Sequence, residues 1–358
     1  MADTDVEVTW SDAEQNSFTK KVTVTDGEAR KPLIVLLHGN GGNANDMAQP
    51  DVAPGMNYDF TRPFPGNRTI GWRWYPGVGV WSFELDPDKE VEGWQPFLRR
   101  HGFRTVNYAQ IDETGFLERP TLELAALIEG IVKEFGDAKL VFIAHSRGGL
   151  LTRKYLKDHA QDKVLDGRVT AVITLHSPHL GSELANVTTA VASSIASLRS
   201  AFGAIVDAAL GSVEARVGQD SYQELRVGGS FLADLENGEK AFPGAAYHTF
   251  GGTSALLTRI RSWIYTVSSA IPQWHLPPYR HRIAMIEVPV ASPVVNSLPD
   301  LTPEFTEGLG DILVADARAH LSCASQRTNG LNHAEALWDG NLKNQVLTIL
   351  GEEPAVWA

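Results

Sequence analysis

The sequence predicts an α/β fold, a mostly parallel central sheet with helices on both faces, and three observations carry that reading. Short runs of β-formers recur along the chain, separated by stretches of helical periodicity. One of these runs, Leu140-Val141-Phe142-Ile143, leads through Ala144 and His145 into Ser146 and the pair Gly148-Gly149. A serine delivered by a buried strand into so sharp a turn is a nucleophile elbow, and Ala144 and Gly148 supply the small neighbours that the turn requires. The third observation is size: 358 residues, 43% of them hydrophobic, can bury a large core within one domain, here expected over 1–358.

Taken in order, Val6 and Val8, then Val22 and Val24, alternate as two early strands, and Lys31 to Leu37 reads as a buried strand ending in a glycine turn. About 43–92 forms an insertion rich in Gly, Pro and aromatic residues, with no sustained helical period. Its Trp72, Trp74, Tyr75, Trp81 and Phe83 are read mainly as a small core of its own, with Trp72 and Trp74 as candidates to line a substrate pocket. A short helix is expected from Trp94 to His101, a strand from Phe103 to Tyr108, and an amphipathic helix from Thr121 to Phe135. After the elbow strand come a helix at Leu150 to His159, strands at Val169 to Leu175 and Ala245 to Phe250, and a closing helix at Glu335 to Leu350. A second insertion, about 182–243, reads as a cap. Within it Leu184 to Val206 holds one charged residue, Arg199, and places Val191, Ile195 and Leu198 on one helical face, which suits either a core helix or a lid over the site. Its Thr, Ser and Gly content and central Arg argue against a transmembrane span.

A formal net charge of −12 disfavours nucleic acid and anionic membranes as partners, since both need a basic face. The single cysteine, Cys323, leaves no intrachain disulfide and no cysteine-based metal cluster. The N-terminus shows neither a basic n-region nor an apolar h-region, which predicts a cytoplasmic protein, or a secreted one whose signal has been trimmed.

Acyl transfer from an ester needs a nucleophile, a base, a group that orients the base and donors for the oxyanion. Ser146 is the nucleophile candidate. In this architecture the acid and the histidine follow the serine, after a late strand and before the last helix. Asp311, in the glycine-rich turn EGLGDILV, and His333, in TNGLNHAEALW, occupy those places, against Asp300, Asp316, Glu335, His281 and His320 as rivals. The oxyanion donors are expected to be the backbone N–H groups of Arg147 and of Asn40 in the loop His38-Gly39-Asn40-Gly41-Gly42. That loop lacks the Lys-Ser/Thr and the spacing of a phosphate-binding loop.

The segments LLHGNGG, AHSRGG, SPHLGSELAN, GDILV and NHAEALW together resemble the bacterial triacylglycerol lipase and carboxylesterase group of the α/β-hydrolase superfamily, over about 33–350. The resemblance implies the α/β-hydrolase fold with a helical cap or lid, Ser146, Asp311 and His333 as the triad, Asn40 and Arg147 as oxyanion donors, and no cofactor. His38, His145 and His179 would support the site or its pocket. His176-x-x-His179 is not read as a metal pair, because Pro178 breaks helical spacing. Some members of the group bind a structural calcium. Glu335 and Asp339 are the candidate ligands here, without a convincing acidic partner around Ile286 to Val290. Arg147 departs from the small or apolar residue that often follows the nucleophile. The expected activity is cleavage of neutral small-molecule or lipid esters through an acyl-enzyme, with transient contact between lid and lipid surface. Acyl transfer or thioester cleavage on the same triad is the enzymatic alternative, and a catalytically silent protein binding a hydrophobic ligand is the non-enzymatic one.

Overall fold

Alternating burial divides the molecule into layers. The protein's structure, a computed structural model, describes residues 2–40, 42–50, 92–162, 165, 167–186, 220–236, 242–255 and 302–352, and the backbone alone at 57–59, 72–75, 78–81, 259–267 and 280–289. Strands β1 (Thr4–Ser11) and β2 (Ser17–Val24) form an antiparallel hairpin that buries alternate residues, Val6, Val8 and Trp10 facing inward. Strand β3 (Leu33–Leu37) is buried at every position, as a central strand covered on both faces must be. The chain then forms α1 (Ala44–Ala48), the backbone strands β4 (Asn57–Asp59), β5 (Trp72–Tyr75) and β6 (Val78–Trp81), α2 (Trp94–Arg100), β7 (Thr105–Asn107) and α3 (Glu118–Phe135). Next come β8 (Leu140–His145), α4 (Arg147–Asp158), β9 (Val169–Leu175), α5 (Asp220–Glu224), α6 (Ser230–Glu236) and β10 (Ala246–Gly252). The remaining elements are β11 (Arg259–Val267), β12 (Arg280–Pro289), β13 (Ser325–Asn329) and α7 (Gly340–Ile349).

Eight strands make the main sheet in the order β1-β2-β7-β3-β8-β9-β10-β13, with β7 through β13 parallel and β1 and β2 antiparallel at one edge. Because successive side chains of a strand point to opposite faces, Val35 and Leu37 join one core with α3, α4 and α6, while Ile34 and Leu36 join the other with α2 and α7. Leu127, Ile131, Leu150 and Tyr155 fill the first layer, and Phe97, Val346 and Leu347 the second. Each such side chain, taken fully out of water, contributes about 1.5–3 kcal/mol, so both helical layers are held by burial rather than by helix propensity.

Several elements differ from the sequence reading. Helix α1 lies inside the insertion expected to lack helix; Asn43 and Asp46 form a capping box, enough to start one turn but not to make a visible period. Helix α4 begins at Arg147, not Leu150, so both glycines lie in its first turn. The C-terminal helix is broken: residues 335–337 make one tight turn, Trp338 leaves helical geometry, and Asp339 accepts from the Leu342 N–H to start α7 afresh. Strands β11, β12 and β13 were not read at all. Strands β11 and β12 are antiparallel and β11 pairs in parallel with β4, so the three form a separate sheet that joins Asn57–Asp59 to the segment between β10 and Asp311.

Candidate active site

Ser146 sits at the carboxyl end of β8, in the middle of the main sheet, with φ 54° and ψ −129°. A non-glycine residue at positive φ costs on the order of 1–3 kcal/mol and persists only where its surroundings enforce it. Here the Ser146 N–H donates to the Leu175 carbonyl at 2.9 Å and its carbonyl accepts from Gly149 at 3.0 Å. Close packing does the rest. A Cβ on Gly148 would lie 2.7 Å from the His38 carbonyl oxygen, and one on Gly39 would lie 2.9 Å from Ser146 Cβ. The loop 38–40 is therefore pressed against the elbow, and both glycines are steric requirements of that contact.

Behind this loop His38 is fully buried. Its Nδ1–H donates to the Gly39 carbonyl at 2.9 Å and its Nε2 accepts from the Gln110 N–H at 3.1 Å, while the Gln110 amide returns to the His38 carbonyl. Burial lowers His38 to about 4, so it stays neutral and serves both bonds. Asn40, with Gly39 and Gly42, lines the cavity beside Ser146. Arg147 is the first residue of α4, a position whose N–H has no intrahelical acceptor, and the helix N-terminus adds partial positive charge there.

Asp311 and His333 come together from loops 22 residues apart. Gly310 lets the chain pass over Glu304, since a Cβ there would meet Glu304 Cα at 2.5 Å. Asp311 Oδ1 then accepts from its own turn, from Leu313 N–H at 3.0 Å and Val314 N–H at 2.7 Å. Its Oδ2 accepts from His333 Nδ1–H at 2.8 Å, and the His333 N–H donates to the Asp311 carbonyl at 3.0 Å. Burial alone would push Asp311 up, but the charge on His333 and hydrogen bonds from His176 and His333 outweigh it and hold the carboxyl well below the usual range. His333 Nε2 is buried and has no hydrogen-bond partner among the described residues.

Ser146 and His333 line one cavity of about 260 Å³. At its polar end stand Gly39, Asn40 and His145; its walls are Leu184, Tyr222, Leu225, Leu313, Val314 and Leu337. His145 Nε2–H donates to the His333 carbonyl at 2.9 Å, and the two rings lie 4.8 Å apart. Burial first, then the charge of His333, lowers His145 well below the usual imidazole value, which leaves it a neutral prop for the His333 loop. A larger cavity of about 430 Å³ runs along β2 and α1 and contains none of the candidate residues.

The remaining candidates fall behind or outside this site. His179 is fully buried, 2.8 Å from Thr174 Oγ1, and does not line the cavity. Trp72 and Trp74 lie in β5, of which only the backbone is described, and Val191, Ile195 and Leu198 lie outside the described residues. Described residues of the segment expected to form a cap, Ser182 and Leu225 among them, line the cavity. Ser182 N–H donates to the Leu225 carbonyl and Ser182 Oγ to the Leu313 carbonyl, and Gly181, at φ 91°, is needed because a Cβ would meet Leu225 O at 2.8 Å. The carboxylates offered for calcium serve local turns: Glu335 accepts from Asn332 N–H and Asp339 caps α7.

Two contributors were missed. His176, at φ 52° at the end of β9, donates from Nδ1 to Asp311 Oδ2 at 2.8 Å, the same oxygen that serves His333. The only signal for it in the sequence is its place at the carboxyl end of a buried strand. His176, Asp311 and His333 lie close enough to suggest a metal site, yet nitrogen-to-oxygen distances of 2.8 Å are those of hydrogen bonds. Donors sharing a tetrahedral ion at about 2.0–2.1 Å would stand farther apart. Glu224 is the other. The Arg147 guanidinium turns away from the cavity and is buried against Glu224, 3.2 Å distant, and the carbonyls of Glu113 and Gly115. Burial lowers Arg147 and raises Glu224, each partly offset by the other. Arg147 thus ties the elbow to α5.

Residues 115–211 match the family described as "Putative serine esterase (DUF676)". Among solved structures, the mature form of lipase BlEst2 from Bacillus licheniformis is 18% identical, with a TM-score of 0.50 over 90% of this chain and 93% of that one. This is an α/β-hydrolase fold. The metagenomic carboxyl esterase MGS0156 shares 14% identity at a TM-score of 0.44, over 91% of this chain and 71% of that one. No curated protein matches the chain. Ser146 follows β8, Asp311 lies beyond β10 with β11 and β12 between, and His333 follows β13. Among the described residues no helix is long and apolar enough to cross a membrane.

Proposed function

We propose that this protein is a serine carboxylic-ester hydrolase that cleaves neutral acyl esters through an acyl-enzyme. Ser146 Oγ attacks the ester carbonyl carbon while His333 Nε2 takes its proton. Asp311 holds the imidazole with Nδ1 protonated, so that Nε2 is the basic nitrogen, and stabilises the imidazolium as it forms. The N–H groups of Asn40 and Arg147 bind the oxyanion. As the tetrahedral species collapses, the alcohol oxygen takes the proton from His333 and leaves. Water, deprotonated by His333, then attacks the acyl-enzyme; the acid departs and Ser146 recovers its proton.

The observation that carries this reading is that His333, whose ring is held by Asp311 and whose buried Nε2 has no hydrogen-bond partner among the described residues, lines the same cavity as Ser146. The match to a serine esterase family supports the reaction class. The cavity walls favour an apolar acyl or alcohol group. Its test is labelling by a fluorophosphonate, followed by turnover on p-nitrophenyl esters from acetate to palmitate. Wild type should label and turn over, whereas Ser146→Ala, folded, should not label and should lose on the order of 10⁴-fold or more in kcat. A folded Ser146→Ala protein with wild-type turnover would remove the proposal.

A further inference from the structure

Asp311 accepts four hydrogen bonds and shares one of its oxygens between two imidazoles. Its Oδ1 takes the amides of Leu313 and Val314, and its Oδ2 takes Nδ1–H from His333 and from His176, each at 2.8 Å. A carboxylate has about four lone-pair sites and only accepts, so both imidazoles must donate and the anion is saturated. Nothing in ester cleavage itself requires a second imidazole on the acid. Resting on the triad proposed above, we infer that His176 is a positioning residue, which holds Asp311 as the anion and keeps its Oδ2 at His333 Nδ1.

The surroundings of His176 are built around that ring. It is fully buried, and its backbone stands at φ 52° with its N–H on the Phe250 carbonyl at 2.7 Å. A non-glycine residue rarely adopts that conformation unless its neighbours enforce it. Gly252, at the end of β10, makes room for it: a Cβ there would lie 2.3 Å from His176 Cε1. The second ring nitrogen meets Asn329 Oδ1 at 3.2 Å, which fixes the ring's rotation. The ring is thereby set toward Asp311 from one side while His333 approaches from the other, their centroids 6.1 Å apart.

The consequence is electrostatic. Asp311 is buried without exposure, where desolvation favours its protonated form. If it took the proton, His333 would lose the charge that stabilises its imidazolium and the acceptor that fixes its tautomer. Among the described residues, the titratable groups shown against the pair are His176 from β9, His145 from β8 and His333 itself; β10 contributes Gly252 and the Phe250 carbonyl, and β13 the uncharged Asn329. Among these, His176 is the donor to Asp311 that does not take part in proton transfer. It stabilises the state in which Asp311 is an anion and His333 neutral more than the state with one added proton. Removing its N–H must therefore raise the pH at which the Asp311–His333 pair takes up that proton, wherever the proton resides.

The experiment is the pH dependence of fluorophosphonate labelling of Ser146 in the full chain, for wild type, His176→Leu and His176→Asn. Leucine keeps apolar volume and removes the donor; asparagine restores an N–H near the place of Nδ1 and tolerates positive φ. The acid midpoint of His176→Leu should rise, by up to about one pH unit, the worth of a hydrogen bond to a charged group, which is reached in full only where the added proton neutralises Asp311. His176→Asn should return the midpoint toward wild type. An unmoved midpoint in His176→Leu, or an equal rise in both variants, overturns the inference, because a merely structural role lowers the plateau and leaves the midpoint in place. If His176→Leu does not fold, wild type labelled with ¹⁵N-histidine decides, with the His176 signals identified through His176→Asn: a proton on His176 Nδ1 supports the inference and its absence overturns it. Failure of the hydrolase reading looks different, as Ser146 would then be unlabelled at every pH even in wild type.

Discussion

Two aspartate–histidine pairs, whose acids stand five residues apart, differ in where the histidine faces: His333 lines the cavity of Ser146 and His320 does not. Asp311 holds His333, and Asp316 Oδ1 lies 3.2 Å from His320 Nε2. Successive glycines of β10 make room for them on opposite faces of the strand. A Cβ on Gly251 would strike Asp316 Oδ1 at 2.1 Å, and one on Gly252 would strike His176, the other partner of Asp311. The difference lies in the histidine's second nitrogen. His320 Nδ1 is 3.0 Å from Thr249 Oγ1, so both ring nitrogens are engaged, and Thr328 Oγ1 lies within 3.0 Å of both Asp316 oxygens. His333 spends Nδ1 on Asp311 and keeps Nε2 for the cavity of Ser146. Contact between an acid and a histidine therefore does not by itself mark a site; the proposed reaction uses the pair whose histidine has a nitrogen left over.

The comparison is broken most severely at the first pair. His333→Ala and Asp311→Asn should each lower turnover on p-nitrophenyl esters by on the order of 10⁴-fold, the second because the imidazole loses its tautomer and its charge support. His320→Ala and Asp316→Asn should leave turnover near wild type. The reverse result would transfer the reaction to the second pair.

Next comes the anchor under the elbow. Glu224→Leu leaves the Arg147 guanidinium buried and uncompensated, and should cost about 3–5 kcal/mol in denaturant unfolding. Arg147→Met with Glu224→Leu should recover much of that. Recovery of stability without recovery of turnover would show that the pair orients the elbow as well as supporting it.

A pH titration of stability sharpens the acid side of the comparison. His38 has a folded value near 4 and an unfolded value near 6.5, so its contribution is complete above the unfolded value and is lost as pH falls from about 6.5 toward 4. That loss amounts to roughly 3 kcal/mol. His38→Gln should flatten this part of the stability curve. Labelling of Ser146 measured in parallel separates acid inactivation through His333 from acid unfolding through His38. If the curve keeps its slope in His38→Gln, other buried groups set the acid sensitivity.

The smallest effect belongs to the second pair itself. His320→Ala removes two hydrogen bonds at a partly exposed site and should cost about 1–2 kcal/mol by thermal or urea melts, without a change in kcat. A larger loss would mean that the Asp316 cluster holds the β10–β13 edge more firmly than its exposure suggests.

How far the residues alone led is clearest element by element. The buried runs at β3, β8 and β9 and the period of α3 were legible because a strand covered on both faces is apolar throughout and a surface helix shows its stripe. The elbow was legible because its glycines are steric necessities within four residues of the serine, and the Gly310-Asp311 turn because an aspartate that caps its own turn leaves a local signature. Strand β13, SQRTN, was not, since an edge strand with little burial carries no hydrophobic pattern. Nor was the first turn of α4, because glycine pairs ordinarily mark helix breaks.

Sequence by itself determined what is local: which segments bury both faces, where the chain must turn, and which serine stands at a strained corner. Tertiary structure alone decided which of several histidines meets which acid, that Asp311 carries two imidazoles, and that the guanidinium of Arg147 runs beneath the elbow to Glu224 rather than into the cavity. Those contacts join residues 22, 135 and 77 positions apart. Such pairings leave no trace in periodicity or spacing, because a hydrogen bond depends on where two side chains end in space, and that is set only once the sheet has brought β8, β9, β10 and β13 side by side.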